Sequence, residues 1–259
     1  MRIREFVALG SAVLMLAACG SSTKSGSDVP PASTTTTIAT APNTPKQLAA
    51  DKATAKAAVL KLSDLTAGYK QIPPNPDTDD DFPPAALTLF ASCAHIPKKE
   101  AAAFFAEDKG PKQPQAESDF MNKTRDLLEI DLKSNVELDR STKDISEPFD
   151  ALLAKTPLPC WEGLFDTAFA QDPIEGATLS PVKVTPLATT GLGDQALAFR
   201  ATLTISGPSL SVNTAIDLYF VGHGRAGVTL EVTGVGHPAD PSFERSLIEK
   251  MIARLDAAN

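Results

Sequence analysis

The sequence predicts an α+β fold: a single domain in which helices cover an antiparallel β-sheet that includes a C-terminal meander. Three consecutive segments between residues 197 and 232 alternate apolar and polar side chains and are joined by glycine-containing turns, as is typical of antiparallel strands. A last segment, residues 243–255, carries apolar side chains at helical spacing. We therefore expect the meander to have one apolar face, which this last helix covers.

The N-terminus has the pattern of a bacterial lipoprotein signal peptide. Arg2 and Arg4 precede an apolar stretch, residues 6–16, that is too short to span a membrane. The motif Leu16-Ala17-Ala18-Cys19 then resembles a lipobox. We expect residues 1–18 to be removed and Cys19 to carry palmitate-type acyl chains, which would anchor the protein to the outer face of the plasma membrane. The alternative is an ordinary signal peptide that contains a cysteine.

Residues 19–45 are predicted to form a disordered tether in front of a globular domain at residues 46–259. Most of the tether is Ser, Thr, Pro, Gly and Ala, so burial of apolar surface cannot offset its ordering entropy. The run Thr34-Thr35-Thr36-Thr37 lies near prolines, which is a composition typical of O-glycosylated segments. An unmodified flexible spacer is the alternative. The globular region has the length of one large domain or, alternatively, two small ones.

The first part of the globular region is predicted to be helical. Residues 46–62 contain no Gly or Pro, and residues 83–95 and 97–107 form two shorter apolar segments, the second opened by a proline. Residues 116–121 and 127–138 alternate well enough to predict strands, although helix remains an alternative there.

Further helices are expected before and after the meander in the sequence. Residues 141–155 and the segment after Pro159 have apolar side chains at helical spacing. Asp240 is a suitable N-cap and Pro241 a suitable first residue for the final helix.

Two cysteines, Cys93 and Cys160, remain in the mature chain if Cys19 is acylated. In an oxidising compartment a single pair most simply forms a disulfide. Two buried free thiols or a catalytic thiol are the alternatives. His95 is too close to Cys93 in sequence to be the usual base of a cysteine nucleophile.

The sequence lacks the usual catalytic and metal-binding motifs, so we expect neither an enzyme nor a cofactor. The three histidines, His95, His223 and His237, have no metal-site spacing, and no G-x-S-x-G motif occurs. Asp77-x-Asp79-x-Asp81 begins like an EF-hand loop, but Phe82 occupies the position of the required glycine.

Two further observations argue against the binding of nucleotides and of nucleic acids. The glycine spacings that start at Gly191 and Gly222 lead into strands rather than helices, so they are predicted to be turn glycines. The net charge of −8 and the lack of a basic stripe argue against nucleic-acid binding.

The order of these features resembles that of a known family. The lipobox and tether are followed by the turn Leu62-Ser63-Asp64-Leu65-x-x-Gly68-Tyr69, two mature cysteines, Gly193-Asp194 before a sheet, and Asp240-Pro241 before a last helix. This pattern is similar to that of actinobacterial envelope lipoproteins related to the extracellular sensor domain of mycobacterial membrane Ser/Thr kinases. The resemblance implies a helix-covered antiparallel sheet with a cleft that binds ligands. The chain departs from the kinase sensor in having one cysteine pair rather than two.

The sequence therefore favours a non-enzymatic envelope lipoprotein that binds a small or lipidic ligand between helices and sheet. The candidate cleft residues are aromatic, and core packing is the alternative role for each: Phe104, Phe105, Trp161, Phe165 and Tyr219. A second hypothesis is an accessory protein that docks an envelope enzyme or transporter through an apolar patch. A hydrolase with a dispersed site is the third.

Overall fold

A computed structural model describes residues 44–73, 82–99, 101, 113–125, 128–150, 156–171, 174 and 176–258. Several predicted features lie outside these residues. They are the signal peptide, Cys19, nearly all of the tether with Thr34 to Thr37, the acidic loop motif, and Phe104 and Phe105.

Five helices lie within the described residues: α1 (Pro45–Ala58), α2 (Pro84–Ala94), α3 (Thr142–Pro148), α4 (Leu158–Gln171) and α5 (Pro241–Ala258). The Thr44 side chain accepts a hydrogen bond from the Gln47 backbone N–H and so caps α1. This helix ends four residues earlier than predicted, because Val59 has an extended ψ of 153° and the chain then enters a short 3₁₀ turn, Leu62–Asp64.

The strands of the described residues form one eight-stranded antiparallel sheet: β1 (Lys70–Ile72), β2 (Gln115–Arg125), β3 (Leu128–Leu138), β4 (Thr178–Leu179), β5 (Lys183–Pro186), β6 (Gln195–Ser206), β7 (Ser211–His223) and β8 (Ala226–Val235). The order in the sheet is β1-β2-β3-β8-β7-β6-β4, and β5 also pairs with β6. The predicted α+β class and the C-terminal meander are confirmed. Strand, rather than the alternative of helix, is correct for β2 and β3.

Helices cover the sheet on both faces, so the prediction that the meander has one apolar face is wrong. Phe199 and Leu218 pack with α2, α3 and α4 in the Trp161 cluster, the apolar group around that residue. The neighbouring Ala198 and Tyr219 pack with α1 and α5 in the Tyr219 cluster. Successive residues of a strand point to opposite faces. The side chains at alternate positions of β6 and β7 are therefore buried on the second face. They are small or amphipathic, as Ala198 and Tyr219 are.

The face that carries the Trp161 cluster changes character across the sheet. Over β3 and β8 it presents polar side chains that are nevertheless buried, among them Asp131, Asn135, Glu137 and Glu231. The alternation that predicted β3 is therefore an alternation between two buried faces, one apolar and one polar.

The turn after α1 is fixed by a helix from the other end of the chain. Asp64 accepts a hydrogen bond from the Lys61 backbone N–H at 2.8 Å and another from Arg254 Nη1 at 2.9 Å. Arg254 also donates to the Val59 carbonyl oxygen. The Asp of the Leu62-Ser63-Asp64-Leu65 motif thus connects the end of α1 to α5.

Candidate functional site

The aromatic residues predicted to line a cleft do not come together. Trp161 and Phe165 belong to the Trp161 cluster and Tyr219 to the cluster on the opposite face of the sheet. The Trp161 ring lies 4.9 Å from the Phe90 ring and 4.8 Å from the Phe199 ring, centroid to centroid. Each of the three described candidates is at most 2% exposed. Their contacts are those of core packing.

The disulfide expected from the cysteine count is present. Cys93 in α2 and Cys160 in α4 are joined across 67 positions of sequence. The bond connects two helices that pack against each other over the Trp161 cluster. Its role is structural, because it holds this helical layer together.

A groove of about 440 Å³, lined by both polar and apolar groups, lies where β5 meets the β6–β7 hairpin. Its polar lining residues are Ser180, Lys183, Arg200, Thr202, Thr204, Asn213 and Thr214, and its apolar ones are Pro181, Leu203, Ala215 and Pro238. The strand register places the polar residues, because Arg200, Thr202 and Thr204 lie opposite Asp217, Ala215 and Asn213 on one face of the hairpin. The groove is the candidate site.

Side chains from α4 hold the β5 wall of the groove. Asp166 accepts a hydrogen bond from the Val182 backbone N–H at 2.7 Å, and Glu162 accepts one from the Val184 backbone N–H at 2.9 Å. These carboxylates satisfy backbone donors on the strand edge that faces away from β6. Lys183 lies between the two anchored residues, with its side chain exposed.

Arg200 lies at the base of the groove and is held by a buried acid. Its Nε donates to Asp217 Oδ1 at 2.6 Å, and its Nη2 donates to Asp217 Oδ2 and to the Ala239 carbonyl oxygen. The Asp217 side chain is 1% exposed and that of Arg200 18%. A bidentate pair of this kind fixes the orientation of the guanidinium plane.

A second buried acid, Glu244 of α5, lies against the same pair. It is fully buried, and its Oε2 accepts a hydrogen bond from the Tyr219 hydroxyl at 2.9 Å. Burial, together with the neighbouring Asp217 carboxylate, raises the pKa of Glu244 to about 8. Glu244 Oε1 accepts no hydrogen bond within the described part of the chain. A proton on that oxygen can be donated to Asp217, which favours the neutral form of Glu244.

The substitution Glu244→Gln is expected to remove a pH dependence of stability. The pKa of Glu244 is near 4.5 in the unfolded chain and about 8 in the folded one, so the folded state holds an extra proton between these values. The free energy of unfolding therefore falls as the pH rises from about 4.5 to about 8, and it should fall less steeply in the variant. Urea unfolding across this pH window measures both slopes. The exposed Glu249 of the same helix gives the control Glu249→Gln, and equal slopes in both variants would contradict the assignment.

The groove was not predicted from the sequence, although a pair of opposite charges on neighbouring strands indicates its position. The turn between β6 and β7 places Ser206 opposite Ser211, and this register puts Arg200 opposite Asp217. Opposite charges at directly facing positions are a recognisable pair. Both residues fall at alternate, polar positions of their strands, and only the register brings them together.

The predicted turn glycines and the histidines are placed as follows. Gly193 and Gly224 have φ values of +56° and +57° in the turns before β6 and before β8. The prediction is wrong for Gly222 and Gly227, which lie inside β7 and β8. His223 pairs with Asp256 on the surface, with Nε2 and Oδ1 2.7 Å apart. No group of three or more His, Cys, Asp or Glu residues that could bind a metal occurs in the described ranges. None of the described helices is both long and apolar enough to cross a membrane.

Comparisons with known proteins give a structural likeness but no sequence match. No protein-family model and no curated protein matches the sequence. Among solved structures, the chain is similar to the extracellular domain of PknH from Mycobacterium tuberculosis, with 10% sequence identity and a TM-score of 0.41. The similarity covers 80% of this chain and 96% of that one.

Proposed function

We propose that this chain is a non-catalytic lipoprotein of the cell envelope, anchored through Cys19, that binds a small polar molecule in the groove between β5, β6 and β7. The observation that carries the proposal is the groove itself, with the polar side chains of Lys183, Arg200, Thr202, Thr204 and Asn213 on one face of the sheet. The lipobox and tether sequence support the anchor and the location.

The size and lining of the groove favour a small polar ligand over an acyl chain. Its volume of about 440 Å³ falls in the range of small-molecule sites, roughly 300–1,000 Å³. Apolar groups line part of it, and the hydroxyl, amide and cationic groups among them would lose hydrogen bonds to water if a hydrocarbon chain covered them. The described aromatic candidates for a lipid site, Trp161, Phe165 and Tyr219, are instead packed in the core.

The lining residues also support a binding role rather than a catalytic one. Among the described residues that line the groove there is no carboxylate, histidine or cysteine. The Ser180 hydroxyl is engaged in hydrogen bonds with the Thr204 backbone N–H and the Pro181 carbonyl oxygen, as is typical of a structural serine. The hydroxyl, amide and cationic groups of the lining can donate hydrogen bonds to a ligand and attract an anion.

Mass spectrometry of the protein purified from its own membranes tests this function. The native mass should include acyl chains on Cys19 and one bound small molecule per protein. Thr202→Trp fills the groove from the centre of its floor and should release the molecule. Thr142→Trp adds the same ring at an exposed position of α3, outside the groove lining, and should retain it.

Two results would count against the proposal. A molecule that stays bound in Thr202→Trp at the wild-type stoichiometry would lie elsewhere in the protein. An empty wild-type protein would favour the alternative of an accessory protein, and crosslinking in native membranes would then search for its partner.

A further inference from the structure

The charge of the groove is opposite to that of the protein. The chain carries a formal net charge of −8, yet the charged residues in the described groove lining are the cations Lys183 and Arg200. Asp217 compensates Arg200 from below, and its side chain is 1% exposed. Glu162 and Asp166 bind the backbone N–H groups at the outer edge of β5, whereas the Lys183 side chain lies on the face that carries Thr202 and Arg200 and can contact an anion there.

Part of the Arg200 guanidinium remains available to a ligand. Nε and Nη2 donate to Asp217 and to the Ala239 carbonyl oxygen, whereas Nη1 makes no hydrogen bond within the described residues. The carboxylate of Asp217 holds the guanidinium plane, so little side-chain entropy would be lost when Nη1 binds a ligand oxygen. Charge-assisted hydrogen bonds from a fixed guanidinium are suited to carboxylate and phosphate groups.

Neutral groups beside the cations can bind hydroxyls. Thr202 and Thr204 lie on the same face of β6 as Arg200, and the Thr202 hydroxyl donates to the Lys183 carbonyl oxygen, so its own oxygen can still accept. Asn213 Oδ1 accepts from the Thr204 hydroxyl at 3.0 Å, which leaves the Asn213 amide N–H groups to donate. A ligand hydroxyl that pairs with these groups would replace their hydrogen bonds to water.

We propose that the groove binds the anionic group, carboxylate or phosphate, of a small hydroxyl-bearing molecule through Lys183 and Arg200. This inference rests on the proposed function, since it names the ligand class of the same site. Arg200 orients the anion through Nη1, Lys183 supplies the net charge, and the threonine and asparagine side chains bind the neutral part.

Three sugars with a common ring test the inference by isothermal titration calorimetry on the detergent-solubilised full chain. Glucose, glucuronate and glucose 6-phosphate differ at carbon 6, which carries a hydroxyl, a carboxylate or a phosphate. We expect at least one anionic sugar to bind more than about tenfold more tightly than glucose. Preference for glucuronate identifies a carboxylate site and preference for glucose 6-phosphate a phosphate site, while equal binding of the two shows that charge alone is recognised.

Variants separate recognition by the groove from general charge effects. Lys183→Gln should weaken the anionic sugar about tenfold, since an exposed side chain loses its charge without affecting the core. Lys52→Gln removes the same charge from the exposed surface of α1 and should have no effect. Arg200→Lys keeps the charge but loses the planar fork, and it should also weaken binding.

The inference is overturned if glucose binds as tightly as both anionic sugars, if none of the three binds, or if Lys183→Gln and Lys52→Gln behave alike. The proposed function fails on a different result, namely retention of the native molecule in Thr202→Trp. A neutral molecule that Thr202→Trp releases would therefore contradict the ligand class and leave the groove as the binding site.

Discussion

Replacing both cysteines, Cys93→Ala with Cys160→Ala, is expected to lower the free energy of unfolding by about 4 kcal/mol. The bond closes a loop of 67 positions, and its loss restores conformational entropy to the unfolded chain. Domains of this kind are stable by only about 5–15 kcal/mol, so the loss is a large fraction of the total. The bond also fixes α2 against α4, so the helical layer over the Trp161 cluster should loosen first.

Equilibrium unfolding in guanidinium chloride measures this loss. Wild-type protein unfolded with a reducing agent is the matched control, because it keeps both side chains and lacks only the bond. The reduced protein and the double variant should agree within about 1 kcal/mol, the margin that the buried Cys160 side chain accounts for. A decrease below about 1 kcal/mol in both would show that the bond contributes little to the folded state.

The substitution Trp161→Ala is expected to destabilise the domain by about 3–5 kcal/mol. Trp161 is 2% exposed and packs against the rings of Phe90, Phe199 and Phe220. Its removal leaves a cavity where α2 and α4 meet the sheet, and the surrounding rings can refill it only in part. The midpoint of denaturant unfolding reports the change.

A ligand-lining tryptophan would behave differently, which makes this variant informative about function. If Trp161 lined a binding cleft, its loss would reduce ligand binding and leave the free energy of unfolding nearly unchanged. Trp161→Phe retains a ring at the site and should be much less destabilising than the alanine variant. Native protein carrying Trp161→Phe should still contain its bound molecule, since the groove lies at the β5–β6–β7 edge.

The sequence was most informative where long segments repeat one pattern. Residues such as Leu197, Phe199 and Leu203 alternate with smaller or polar ones over the length of β6, and this period alone predicts a strand. The strands β1 and β4, of three and two residues, are too short to show any period. Burial on two faces was missed because Ala198 and Tyr219 are equally compatible with a solvent-facing position.

The site was less predictable than the fold because it depends on strand register and on distant contacts. Trp161 and Phe165 suggested a cleft by residue type, but residues four apart on a helix share a face, and here that face is in the core. Arg200 and Asp217 are unremarkable until the β6–β7 register pairs them. Glu244 joins them only because α5 packs across the sheet, a contact that no local pattern encodes.

A crystal structure of the protein purified from its own membranes tests the central claim most directly. The account predicts electron density for a small molecule in the groove between β5, β6 and β7, with an oxygen atom within hydrogen-bond distance of Arg200 Nη1. An ordered molecule lodged between α4 and the sheet, beside Trp161 and Phe165, would contradict it and restore the cleft that the aromatic residues first suggested.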